Sequence, residues 1–201
     1  MEVKLYVADS LQLKDCQVEY LSMLTAKRRE EAEAFTKEEH RLLHCAAGLL
    51  LRCALGVTED SHLIYGEYGK PELAQGGVHF SLSHGGHYAV LAIADMPVGV
   101  DIEPIEKPQI LPRKMLSEEE MTWLKEHTSA EDFCLLWTRL ESALKAEGCG
   151  LALEKRDFSL LKNADPWYWE TIICDEHMIT CAADRPITAH LQTMTIEQLL
   201  H

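Results

Sequence analysis

The chain has 201 residues, 47% apolar and 26% charged, enough to bury a core as one domain or two small fused lobes. Its 33 acidic residues outnumber 19 basic ones, and a net charge of −14 argues against nucleic acid or anionic lipid as a partner. No apolar run approaches the roughly 20 residues that span a bilayer. The opening Met1 to Asp9 stretch alternates like a strand and lacks a signal-peptide layout, so a cytoplasmic protein is expected.

Residues 3–8 read as a strand, and residues 25–35 and 37–55 as helices. The second helix carries an apolar stripe through Leu42, Cys45, Ala46, Leu49, Leu50 and Cys53, and Gly56 closes it. Tyr68-Gly-Lys-Pro71 is a turn, Val78 to Ser83 alternates as a strand, Gly85-Gly86 breaks it, and Tyr88 to Ala94 is an apolar strand. Asp95-Met-Pro97 turns the chain into Val98 to Glu103. Pro104, Pro108 and Pro112 then punctuate a connector near the middle. Helices are expected at 117–126 and 131–147, the latter closed by Gly148, and strands at Trp167 to Cys174 and His177 to Ala183. Helices beside antiparallel-looking strand pairs in each half give an α+β fold of two lobes meeting near 98–104. The seven cysteines are scattered without a Cys-x-x-Cys pair, which reads as reduced thiols rather than disulfides or structural zinc.

In Val98 to Glu103, alternation puts Gly99, Asp101 and Glu103 on one face, with the two carboxylates about 6.6 Å apart at ~3.3 Å per residue. They are either a solvated acidic face or a pair that needs a cation between them. Gly99 leaves room for a ligand to approach the backbone. In the 131–147 helix, Phe133, Leu136, Trp137, Leu140 and Leu144 form the buried stripe, and Glu141 and Lys145 lie along its border. That pair is either a plain i,i+4 ion pair or a further metal carboxylate with a lysine reaching toward phosphate. Ser117-Glu-Glu-Glu120 is a capping box.

Together, Gly99-Val-Asp-Ile-Glu103 and Trp137 to Lys145 resemble the signatures of the Sfp-type 4'-phosphopantetheinyl transferase family, Gly-hydrophobic-Asp-x-Glu and Trp-x-x-Lys-Glu-x-x-x-Lys. Lys27-Arg28-Arg29, Tyr68-Gly-Lys-Pro71, Phe80-Ser-Leu-Ser-His84 and Gly148-x-Gly150-Leu151 extend the resemblance over nearly the whole chain. It implies two similar α/β lobes related by a pseudo-two-fold, residues 1–97 and 98–201, with the site at their interface. It implies Mg²⁺ at Asp101, Glu103 and Glu141, and Lys145 on the phosphates. Coenzyme A would be held by Lys27, His44, Lys70, Pro71, Ser83 and His84, although Ser83 and His84 also suit a plain strand end beside a Gly-Gly turn. The implied reaction moves the 4'-phosphopantetheine arm of coenzyme A to a serine of an apo acyl or peptidyl carrier protein, releasing 3',5'-ADP, in a monomer. Glu120, or a water ordered by Glu103, would take the serine proton.

The chain departs from the pattern at Leu140, where the family has the first lysine of the helix motif, and at Glu30 and His44. A coenzyme A-binding member with weakened or lost catalysis is therefore the alternative. A zinc hydrolase using His40 and His44, one helical turn apart, is a rival from another class. Arg113 and Lys114, with Met115 and Leu116, are either a carrier-docking patch or an ordinary linker with a buried Met-Leu pair.

Overall fold

A computed structural model of the chain describes residues 1–16, 20–106, 111, 113–150, 156–164 and 166–201. Pro108 and Pro112 of the connector and Leu151 of the glycine-rich segment lie outside the described residues. The architecture is α+β, built on two sheets with a long helix on the outer face of each.

The first sheet has the order β4-β5-β1-β9, formed by His79–Gly85, Tyr88–Ala94, Glu2–Asp9 and Thr188–Met194. Its strands present alternate residues to opposite faces, and Ala8, Phe80, Ala89 and Leu91 face helix α2, Glu38–Leu55. The apolar stripe read from the sequence is the buried face of α2 from Leu42 to Leu50, whereas Cys53, expected on it, is exposed near the helix end, and Gly56 ends the helix at φ 68°. Helix α1, Ala26–Ala34, is capped by Thr25 and packs on α2. A two-stranded ribbon, β2 (Leu63–Tyr65) with β3 (Pro71–Leu73), follows α2.

The second sheet has the order β6-β8-β7, from Gly99–Pro104, His177–Ala183 and Tyr168–Cys174, all antiparallel. Helix α3, Glu118–Glu126, precedes helix α4, Ala130–Glu147, which covers this sheet. The inner faces of the two sheets share a core of Val3, Leu5, Val90, Val100, Ile102 and Ile179. Beneath α4, Leu136, Leu140 and Leu144 pack with Trp169 and Ala182. All seven cysteines are free.

The last strand returns to the first sheet. β9 pairs in parallel with β1, from Glu2 opposite Thr188 to Ala8 opposite Met194, and α5 (Ile196–Leu200) packs on α2. Residues 188–200 thus join the elements of 1–97, across the boundary expected at 97/98. β9, Thr-Ala-His-Leu-Gln-Thr-Met, is a polar strand whose pairing covers the open edge of β1.

Strand β6 sits at the edge of its sheet, between β4 and α4. Where β4 meets it, the face turned to β6 carries the small residues Ser81, Ser83 and Gly85, and Ser81 Oγ accepts the Val100 N–H at 3.1 Å, satisfying an edge donor. A Cβ on Gly85 would lie 2.2 Å from the Ile102 carbonyl oxygen. On the other side, a Cβ on Gly99 would lie 1.8 Å from the Ser142 carbonyl oxygen and 2.4 Å from the Ala146 nitrogen. The space at Gly99 is therefore filled by the α4 backbone, not left for a ligand as its place beside two acids suggested. Gly99→Ala must push the helix off the strand; we expect a loss of about 1–3 kcal/mol, read by denaturant unfolding, with lowered protein yield.

Candidate functional site

Because α4 lies this close, its polar border meets the acidic face of β6 at one end of a cleft of about 560 Å³. Val98, Val100 and Ile102 point into the inter-sheet core, and Asp101 and Glu103 turn the other way, as strand alternation requires. Asp101 is 3% exposed. Its Oδ1 accepts from Ser83 Oγ at 2.8 Å and from Lys145 Nζ at 2.6 Å, and Lys145 also donates to Ser83 Oγ at 2.7 Å. The second oxygen, Oδ2, is buried with no hydrogen-bond partner among the described residues. Glu103 Oε1 accepts from the indole N–H of Trp137 at 3.1 Å. Glu141, one turn beyond Trp137, lines the same cleft.

Burial raises the pKa of Glu103, and the neighbouring charge of Asp101 raises it further; the Trp137 hydrogen bond opposes both. Burial and then Asp101 likewise raise Glu141, against the pull of Lys145. An orphaned carboxylate oxygen beside two acids whose ionisation is disfavoured is an electrostatic fit for a hard divalent cation with oxygen ligands. Among the described residues, no three His, Cys, Asp or Glu side chains are drawn close enough to enclose an ion. It is Lys145 that closes on Asp101.

The opposite end of the cleft is basic and comes from α1 and α2. Lys27 Nζ stands 4.4 Å over the Tyr65 ring. Arg28 is largely enclosed, its Nη1 3.5 Å from the His44 carbonyl oxygen, and burial lowers its pKa. His44 Nε2 lies 3.2 Å from the Arg28 carbonyl oxygen and 3.4 Å from Glu31 Oε2. Burial, then Arg28, lowers the pKa of His44. His84, at the end of β4, keeps an accessible ring inside the concavity, and desolvation followed by Lys145 lowers its pKa. Pro71 and Gly69 form the adjoining wall.

Of the residues singled out from sequence, the cleft gathers Lys27, His44, Pro71, Ser83, His84, Asp101, Glu103, Glu141 and Lys145. Arg28, read from the sequence as part of the Lys27–Arg29 basic cluster, lines it as well, and so do Glu31 and Tyr65, which had not been assigned to it. Lys27, Arg28 and Glu31 fall on one side of α1 by their spacing, a signal available in the sequence.

Two assignments are corrected. Lys70 Nζ donates to the carbonyls of Val98 (3.3 Å) and Ala146 (3.1 Å), and lines a neighbouring pocket of about 230 Å³ instead. It pins the C-terminal turn of α4, where free carbonyls attract a cation. Glu120 does not line the cleft. It is fully buried, with Oε1 accepting from Arg156 Nη1 and the Leu160 N–H, and Oε2 from Arg156 Nη2 and the Ser117 N–H. Burial alone would raise its pKa, but the bonds from Arg156, Leu160 and Ser117 prevail and lower it. A carboxylate so engaged anchors α3 to the segment at Arg156 and Leu160.

His40 is also outside the cleft, on the solvent side of α2 beside Glu39, so it forms no metal pair with His44. Arg113 and Lys114 are exposed on a short helical turn, while Met115 and Leu116 pack against the α4 core. Leu140 is fully buried in that core, and Arg139 leaves on another side, bonding the Leu160 carbonyl at 2.6 Å.

A family model described as the 4'-phosphopantetheinyl transferase superfamily matches residues 97–189. A 4'-phosphopantetheinyl transferase of Bacillus subtilis is 29% identical over 90% of this chain and 91% of its own length. The 4'-phosphopantetheinyl transferase ffp of Bacillus subtilis is 31% identical over 72% of this chain and 69% of its own. The 4'-phosphopantetheinyl transferase gsp of Aneurinibacillus migulanus is 37% identical over 48% and 42%.

Two titration effects of opposite sign follow. Glu120 ionises below its ordinary 4.5, so the stability it contributes is complete above that pH and is lost as pH falls through the lower folded value. Breaking its buried pair with Arg156 by Glu120→Ala should cost about 3–5 kcal/mol at pH 7. Chemical unfolding across pH 2–7, at roughly one-unit steps, should show the acid-side slope below about 4.5 flattened in the variant. Glu141 has the reverse sign: its raised pKa means stability present at low pH and lost as pH rises through the folded value. Glu141→Gln should therefore melt higher than the parent at pH 7 in chelator, about 2–4 °C per kcal/mol of strain removed, by calorimetry.

Proposed function

Because this chain belongs to the 4'-phosphopantetheinyl transferase superfamily, we propose that it moves the phosphopantetheine arm of coenzyme A onto a serine of an apo acyl or peptidyl carrier protein, releasing 3',5'-ADP. One observation carries the reading: a single cleft runs from the Lys27–Arg28 end to the Asp101–Lys145–Ser83 cluster, offering cations to a nucleotide's phosphates and acids to a metal.

Asp101, Glu103 and Glu141 are the residues that would hold Mg²⁺. Bound there, the ion supplies neutralisation of the diphosphate charge. Lys145 reaches the same phosphates from α4, and its ammonium offsets the charge that collects on the departing 3',5'-ADP. Ser83 and His84 at the end of β4 and Lys27 at the rim bind the nucleotide portion, with Pro71 as a wall. With Glu120 bound to Arg156, proton acceptance from the carrier serine falls to a water ordered by Glu103. Trp137 fixes one of the Glu103 oxygens by its indole N–H, which holds the carboxylate in place for that water.

Leu140 lies in the core, so the basic charge that the family motif places there cannot be regained by a side-chain rotation. The retained Lys145 supports an active enzyme over a binding-only one. We place the protein in the cytoplasm as a monomer. All its thiols are free, and no described helix is long and apolar enough to cross a membrane.

The test is mass spectrometry of an apo carrier protein incubated with coenzyme A, Mg²⁺ and the protein. The expected result is the gain of one phosphopantetheine arm, abolished by chelator and reduced at least ~100-fold by Glu141→Gln or Lys145→Ala. No gain with fatty-acid, polyketide or peptide-synthetase carriers, while coenzyme A still binds, would leave the binding-only reading standing.

A further inference from the structure

The basic end of the cleft contains a carboxylate that a phosphate-binding wall does not call for. Glu31 comes from the same helix as Lys27 and Arg28, and its Oε2 lies 3.4 Å from His44 Nε2. Its side chain is 45% exposed and that of His44 18%, so the pair forms part of the wall without being sealed beneath it. Both neighbours of His44 Nε2, the Arg28 carbonyl and the Glu31 carboxylate, are acceptors. Hydrogen bonding therefore assigns the proton to Nε2 and leaves Nδ1 a bare lone pair in the neutral ring. Burial and Arg28 favour that neutral ring. His44 thus spends its donor inside the wall and presents none to a ligand.

The charges at this end are then two cations, Lys27 and Arg28, against one anion, Glu31. Lys27 is further engaged with the Tyr65 ring. A ligand phosphomonoester carries close to two negative charges at neutral pH, and a nearby carboxylate acts against it.

We propose that Glu31 is a specificity-determining residue: paired to His44 on the cleft wall, its carboxylate weakens the hold of the α1–α2 end on a terminal phosphate, so that donors with and without the 3'-phosphate of coenzyme A are used comparably. This rests on the reading of the cleft as the coenzyme A site.

The test uses the full chain and two probes, adenosine 3',5'-bisphosphate and adenosine 5'-phosphate, by isothermal titration. It is paired with transfer rates from coenzyme A and 3'-dephospho-coenzyme A. In the parent protein we expect the bisphosphate to bind less than about tenfold more tightly than the monophosphate. Glu31→Gln should widen that preference about five- to tenfold, through tighter bisphosphate binding, and Glu31→Lys should widen it further. The kcat/KM ratio of the two donors should move with it. A preference unchanged within about twofold in both variants, with parental melting temperatures, overturns the proposal, as does a parent preference above about a hundredfold. A protein that shows the Glu31-dependent preference but modifies no carrier keeps this inference and overturns the transferase reading. One that binds neither nucleotide overturns both.

Discussion

Strand β6 is held between two backbones, and the molecule is organised by that confinement. Glycine at 99 lets α4 lie directly on it, and glycine at 85 with serines at 81 and 83 lets β4 approach from the other side. Each contact is backbone against backbone or hydroxyl against backbone, so the separation has little freedom to vary. Asp101 of β6, the lysine of α4 and Ser83 of β4 consequently meet at hydrogen-bonding distance, each of them on a strand or helix. The site's positioning is a by-product of packing.

The electrostatics follow from that placement. Asp101, Glu103 and Glu141 are forced into partial burial near one another, and the fold balances them with Lys145 and the Trp137 indole rather than with a sealed salt-bridge network. By contrast, the Glu120–Arg156 pair is buried, with both carboxylate oxygens hydrogen-bonded. Two carboxylates of similar sequence setting, each near a helix start or border, diverge in role because one has its oxygens filled and the other shares a cleft.

Much of this was legible in the sequence where the signal is periodic. The strand alternation around Asp101 put both acids on one face, and the apolar stripe of α4 put Glu141 and Lys145 on its border; both hold in three dimensions. Partnerships across long separations were not legible. Arg156 is 36 residues from Glu120 and Val98 is 28 residues from Lys70, so an anchor and a candidate ligand contact look alike until the chain is folded. Gly99 illustrates the same limit from another direction. Its absence of a side chain was evident, but whether a ligand or a helix fills the gap depends on where α4 docks. The Glu31 side of α1 was within reach of a helical-spacing argument, which a reading by basic clusters passes over.

The pairing of the first strand with the last gives the chain a particular history. During synthesis, β1 emerges long before β9, and one of its edges stays unmatched until Met194 has been made, since β9 is its neighbour there. The early half can build β4, β5, β1 and their helix, but with an open flank available to any extended chain nearby. Closure also draws the amino group of Met1 onto the Pro186 carbonyl at 2.7 Å. The chain is thus open to mispairing at this flank for as long as the stretch between β1 and β9 is being made, and the corner where Met1 meets Pro186 is the one that β9 has to enter.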